Sequence, residues 1–131
     1  MFLANEFFDA LPIKQFFKKK EGWVERFVNF KDEKNAEFNE RSINIKDIEK
    51  DLSFEISKDQ EIIEYSPSSF EYLKDISNLI KKYDGGILII DYGYLNLKME
   101  ETLQAIKNHK HSSVLEDIGE SDITYKINFN L

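Results

Sequence analysis

The 131-residue chain sets 18 Lys and Arg against 25 Asp and Glu, for a formal charge of −7, with 41% hydrophobic and 14% aromatic residues. That composition supports one modest folded core and argues against global disorder. It also argues against a nucleic-acid partner, and the lack of cysteine excludes a disulfide frame or thiolate metal site.

The chain opens with FLANEFFDALP, a short apolar run that ends in Asn5, Glu6 and Asp9. In open α/β sheets ligands collect outside the carboxyl ends of strands, so these residues are candidates for chemistry. Glu6 also reads as a first-turn helix carboxylate stabilised by the helix dipole. Residues 13–39 alternate short aromatic and β-branched runs with polar turns, which predicts a β-meander. The stretch WVERFVNF departs from a strict period of two, which allows a bulge or mixed burial. Residues 40–60 are charged and weakly patterned, and read as a connector.

Ser66-Pro67 then offers a helix start, and Phe70, Leu73, Ile76, Leu79 and Ile80 recur at helical spacing, predicting one buried face. Lys81 and Lys82 suit the negative helix end, and Gly85-Gly86 stop it. The following ILIID reads as a strand covered on both faces and ending in Asp91 and Tyr92. Asp91 reads equally as a turn residue before Gly93. If the two acid-tipped strands lie in one parallel sheet, they share a crevice. The longest apolar run, GGILII, is too short to span a bilayer, and acidic residues follow Met1–Ala4 at once, unlike a signal peptide. A cytoplasmic location and no membrane insertion are therefore expected. ETLQAIKNH admits helix or strand, and His109 and His111 stand two apart without an evident third metal ligand, so no metal is expected.

The segments ANEFFDALPIKQF, EYSPSS, GGILIIDYGY, TLQAIKNHKH and GESDITYKINF occur in the order and at the spacing of the MidA-like family of S-adenosylmethionine-dependent methyltransferases, which the chain resembles over nearly its whole length. The family is regarded as protein arginine methyltransferases, and its mitochondrial member assists complex I assembly. The resemblance implies an α/β fold: a partial Rossmann-like class I methyltransferase domain over 1–131, comprising later strands of the sheet with an inserted β-meander. FLANEFFDALP would be the fourth strand and its loop, and GGILIIDYGY the fifth.

The resemblance also implies S-adenosylmethionine as cofactor and an arginine-bearing protein as substrate. Glu6, Asp9 and Asp91 are then the catalytic candidates, since carboxylates accept the forked N–H groups of a guanidinium. Asn5, Tyr92 and His109 are candidates for substrate or cofactor binding, His109 by its match to a family histidine. Asp122 and Thr124 in the closing motif would cap a helix start. The family's Gly-rich cofactor loop lies upstream of the matching region, and none of the five glycines here forms a G-x-G after a strand. The chain therefore reads as a fragment that contributes the substrate side of the site, inactive when isolated and completed by an N-terminal half on another chain. The alternative is a nonenzymatic binding module or an inactive remnant.

Overall fold

A computed structural model of the protein describes residues 1–116 and 118–131. Two strands at the heart of the α/β part are far apart in sequence. β1 (Phe2–Asn5) pairs in parallel with β6 (Ile87–Ile90), in a register that sets Asn5 beside Ile90. Both strands thus end at the same edge, one running into Glu6 and the other into Asp91. A single 3-10 turn, Phe8–Ala10, follows β1.

Between them lies an antiparallel sheet. β2 (Lys14–Lys19), β3 (Gly22–Phe30) and β4 (Ala36–Ile43) run as a meander, and β5 (Ile62–Tyr65) joins on the far side of β2, giving the order β4-β3-β2-β5. The β3–β4 register is continuous from Trp23↔Ile43 to Phe30↔Ala36, so WVERFVNF has no bulge; its irregular pattern reflects mixed burial. The stretch 40–60 is more than a connector. It completes β4 and then forms α1 (Ile45–Leu52), capped by the Asn44 side chain, which accepts from Lys46 N at 3.0 Å. Ile48 and Leu52, one turn apart, pack with Phe16, Ile63 and Tyr65 into the main core beneath the sheet.

α2 (Pro67–Tyr83) begins where Ser66 Oγ accepts from Ser69 N at 3.2 Å with Pro67 in the first turn, and ends at Asp84 and Gly85, both at positive φ. Its apolar stripe is only half covered: Phe70 is 37% and Leu79 44% exposed. The expectation of a buried face fails because the sheet beneath has just two strands, too few to roof a five-turn helix. For the same reason β6 is not covered on both faces. Ile87 and Ile89 turn inward, whereas Leu88 and Ile90 remain about half exposed.

The chain then closes with short strands: β7 (Gly93–Tyr94), β8 (Gln104–Lys107), β9 (Lys110–Ser112), β10 (Asp122–Thr124) and β11 (Ile127–Asn128). β8 is central between β10 and β9, which makes ETLQAIKNH a strand and a turn. β11 lies parallel to β7 so closely that a Cβ on Gly93 would collide with the Ile127 carbonyl and the Phe129 ring.

Candidate functional site

At the shared carboxyl edge of β1 and β6 the chain gathers three carboxylates. Asp91 Oδ2 accepts from the backbone N–H of Phe8 at 2.9 Å, of Phe7 at 3.2 Å and of Asp9 at 3.4 Å. Asp91 Oδ1 accepts from Tyr92 N at 2.9 Å. Asp91 thus stabilises the start of the 3-10 turn across the sheet, where free N–H groups need an acceptor. Glu6, between strand and turn, holds φ at 46°, and its side chain is exposed. That backbone state is uncommon for a residue with a Cβ, and it swings the chain sharply away from the strand.

Asp9 is only 4% exposed. Burial raises its pKa above the usual 3.8, and the nearby Asp91 and Glu6 carboxylates raise it further. No Lys or Arg offsets this: among the described residues Glu6, Asp9 and Asp91 make no ion pair, while several basic side chains pair with acids elsewhere, such as Arg41 with Glu25 and Arg26 with Glu101. Like charges left together without an internal counter-ion attract an external cation.

The closing segment forms one wall. Tyr125 N donates to the Asp9 carbonyl at 3.1 Å, and Ile127 N to the Tyr92 carbonyl at 2.9 Å, so the last strands are tied to both acidic loops. Tyr125 is 6% exposed, its hydroxyl 3.5 Å from Ser69 Oγ at the first turn of α2. Burial raises its pKa, which keeps the phenol neutral. Behind it lies a cavity of about 230 Å³ bordered by Phe8, Glu64, Phe70, Tyr125 and Phe129.

Glu64 is a fourth acid, absent from the candidates read in sequence. It is 4% exposed on β5 and accepts from Gln15 Nε2 at 2.6 Å, from Thr102 N at 3.1 Å and from the Thr102 hydroxyl. Thr102 Oγ1 in turn accepts from Lys126 N at 2.8 Å. Burial raises the Glu64 pKa above 4.5, against the lowering pull of these donors, and it too has no ion pair among the described residues. The signal for it was a single acid inside the apolar run IIEYS, a position that a surface carboxylate would not occupy.

The other candidates are spread out. Asn5 ends β1 with an exposed side chain, and Tyr92 is 61% exposed at the crevice rim. His109 does not join the site. With Asn108 it forms the two-residue turn between β8 and β9, both at positive φ (61° and 50°), and its side chain is exposed. Asp122 and Thr124 lie within β10 and cap no helix; Thr124 Oγ1 accepts from Gln104 Nε2 at 3.2 Å. Among the described residues no three His, Cys, Asp or Glu side chains converge as a metal site would require.

Parallel strands joined by a crossover helix, with acidic residues just past their carboxyl ends, define part of an α/β domain of the class I methyltransferase type. Over residues 1–131 the sequence matches the family described as "putative S-adenosyl-L-methionine-dependent methyltransferase", and the chain belongs to that family, the MidA-like methyltransferases. It is 31% identical to the mitochondrial protein arginine methyltransferase NDUFAF7 homolog of Caenorhabditis elegans, over 98% of this chain and 31% of that protein. It is 28% identical to the mitochondrial protein arginine methyltransferase NDUFAF7 of Homo sapiens, over 98% of this chain and 29% of that protein. A crystal structure from Burkholderia thailandensis bound to S-adenosyl-homocysteine superposes with a TM-score of 0.70 at 21% identity, covering 98% of this chain and 34% of the other, a likeness of fold alone. The chain spans about a third of the length of the curated relatives it matches.

The expected cytoplasmic location is corrected by these relatives, which are named as mitochondrial. An acidic composition without cysteine or a long apolar run is compatible with any aqueous compartment, so it carried no information on which one.

Proposed function

We propose that this chain supplies the substrate side of an S-adenosylmethionine-dependent protein arginine methyltransferase. The observation that carries the reading is the carboxyl edge of β1 and β6, where Glu6, Asp9 and Asp91 lie together without a basic partner among the described residues. A guanidinium is the cation that fits such a set, because it offers N–H donors in a fixed fork to planar acceptors. In this reading the exposed Glu6 meets the guanidinium first. Asp91 holds the loop that presents Glu6, and Asp9 takes up charge or proton as the substrate enters. The names of the relatives, protein arginine methyltransferases, support the same substrate class, and their mitochondrial setting is the one proposed for this chain.

The cofactor reading rests on the family and on the relative that binds S-adenosyl-homocysteine. Residues 1–131 offer little of a cradle for it. Gly93 is the one glycine beside the crevice, and the space a Cβ would take there is filled by Ile127 and Phe129 of the chain itself. The cofactor would therefore be held chiefly by residues beyond this segment, on the same or a complementary polypeptide, and the methyl group would come from it. The residues present here bind and orient the acceptor, and positioning is a large part of what such a transfer needs.

The test is a titration of the chain, followed through side-chain carboxyl carbon resonances, with a short peptide carrying one arginine and with the same peptide carrying citrulline. The reading expects arginine-dependent shifts at Glu6, Asp9 and Asp91 and none with citrulline. Equal responses to the two peptides would refute it.

A further inference from the structure

We propose that the cavity behind Tyr125 is the seat of the substrate's arginine side chain, with Glu64 as its buried anion and Phe70 and Tyr125 as aromatic walls. The inference rests on the arginine reading above and assigns it a place that the acidic rim alone does not specify.

Size comes first. At about 230 Å³ the cavity is smaller than the roughly 300–1,000 Å³ of pockets that take drug-sized ligands, so it accommodates one extended side chain and not a nucleoside cofactor. Its walls come second. Phe8, Phe70, Tyr125 and Phe129 border it, and aromatic rings attract a cation placed over their faces while covering the methylene stem that carries it. Arg26 shows within this protein that a guanidinium is accepted in this way, its carbon lying 3.9 Å from the centre of the Phe17 ring.

Charge is the third argument. Glu64 is the acid on the wall, and the buried Tyr125 shares the cavity lining with it. Among the described residues no Lys, Arg or His lines the cavity. Gln15 and Thr102 donate hydrogen bonds to Glu64 but bring no neutralising charge, so an entering cation supplies what the fold omits. A neutral apolar side chain would leave that carboxylate uncompensated, which makes the site selective for a cation over an isostere. Position is the fourth. Tyr125 is bonded through its backbone to Asp9, and Phe8, the next residue along, borders the cavity, so the cavity wall is continuous with the acidic loop.

The test uses the same arginine and citrulline peptides on the wild-type chain, Phe70→Ala and Glu64→Gln, with calorimetric affinities and nuclear Overhauser contacts from the arginine Hδ protons. Phe70 is 37% exposed, so its truncation leaves the fold intact, which the amide spectrum verifies. The expected result is contact between arginine Hδ and the Phe70 and Tyr125 rings. A roughly three- to thirtyfold loss of affinity in Phe70→Ala is expected, the scale of one cation–π contact. Glu64→Gln should lose at least tenfold; if that variant does not fold, Phe70→Ala and the ring contacts decide. Arginine-dependent binding with unchanged affinity in Phe70→Ala, and contacts only to rim residues such as Phe7 and Tyr92, overturns the cavity while leaving the arginine reading in place. Absence of any arginine-dependent binding overturns both.

Discussion

Replacing Asp91 with alanine probes the link between the two acidic strand ends. Its carboxylate is the acceptor for three successive N–H groups on the other strand's loop, at 2.9, 3.2 and 3.4 Å. These bonds are unequal. The 2.9 Å bond to the partly buried Phe8 N–H is charge-assisted and worth roughly 1.5–3 kcal/mol. Water replaces the bond to the exposed Phe7 N–H, and the 3.4 Å bond to Asp9 lies at the limit of useful geometry. Loss of the Asp91 charge also relieves its repulsion of Asp9, which returns a fraction of the cost. The net expectation is therefore about 2 kcal/mol for Asp91→Ala, and about 1 kcal/mol for Asp91→Asn, which keeps an acceptor oxygen without its charge. Urea unfolding at pH 7 measures both, and hydrogen exchange at the Phe8 amide localises the effect. If Asp91→Ala unfolds at the parental midpoint with its Phe8 amide equally protected, Asp91 does not organise the loop, and the reasoning about the crevice loses its scaffold.

Asp9 and Glu64 both have pKa values raised in the fold, so the native state binds their protons more tightly than the unfolded chain does. Their contribution therefore improves as pH falls from neutral towards the ordinary values of 3.8 and 4.5, and urea midpoints should rise over that range in the wild type and rise less in Asp9→Asn. Asp59, held down to about 2 by Ser57 and Lys98, has the opposite sign: its stabilisation is present above 3.8 and is lost as pH falls towards 2. Gly93→Ala should cost about 1–3 kcal/mol in thermal or urea unfolding, because the added methyl would collide with the Ile127 carbonyl and the Phe129 ring and force β11 to shift. Glu6→Gln, at an exposed position, should shift stability by less than about 0.5 kcal/mol in the same assay, so that any loss of function in that variant reports on chemistry.

Sequence periodicity carried the parallel pair well. FLAN and ILII are short apolar runs ending in acids, and they do lie side by side with those acids at one edge. The start of α2 was legible because Ser66-Pro67 is a local signal, and its cap depends only on neighbours. What periodicity could not convey was coverage. The stripe of α2 and the apolar run of β6 promise burial, yet how much they obtain depends on the number of strands beside them. α1 was missed although Ile45, Ile48 and Leu52 have helical spacing, because six charged residues in 46–55 masked the pattern. The deep part of the site was hidden for a different reason. Gln15, Glu64, Thr102 and Lys126 meet only after four separate segments fold together, and no local spacing encodes that convergence. His109, a candidate by resemblance, has its place set by the local backbone, which puts it in a hairpin turn away from the three carboxylates.

The most direct measurement is methyl transfer in a hybrid in which residues 1–131 replace the matching segment of the Caenorhabditis elegans relative, with labelled S-adenosylmethionine and an arginine-bearing protein as acceptor. Cofactor binding by the hybrid serves as the control for folding. The account predicts labelled methylarginine, and a loss of more than tenfold in single-turnover rate for Glu6→Gln at unchanged cofactor affinity, the consequence of removing one desolvated charge-assisted contact of about 2 kcal/mol or more. A hybrid that binds the cofactor but transfers no methyl group to arginine, or that works at the parental rate with Glu6→Gln and Asp91→Asn combined, would contradict it.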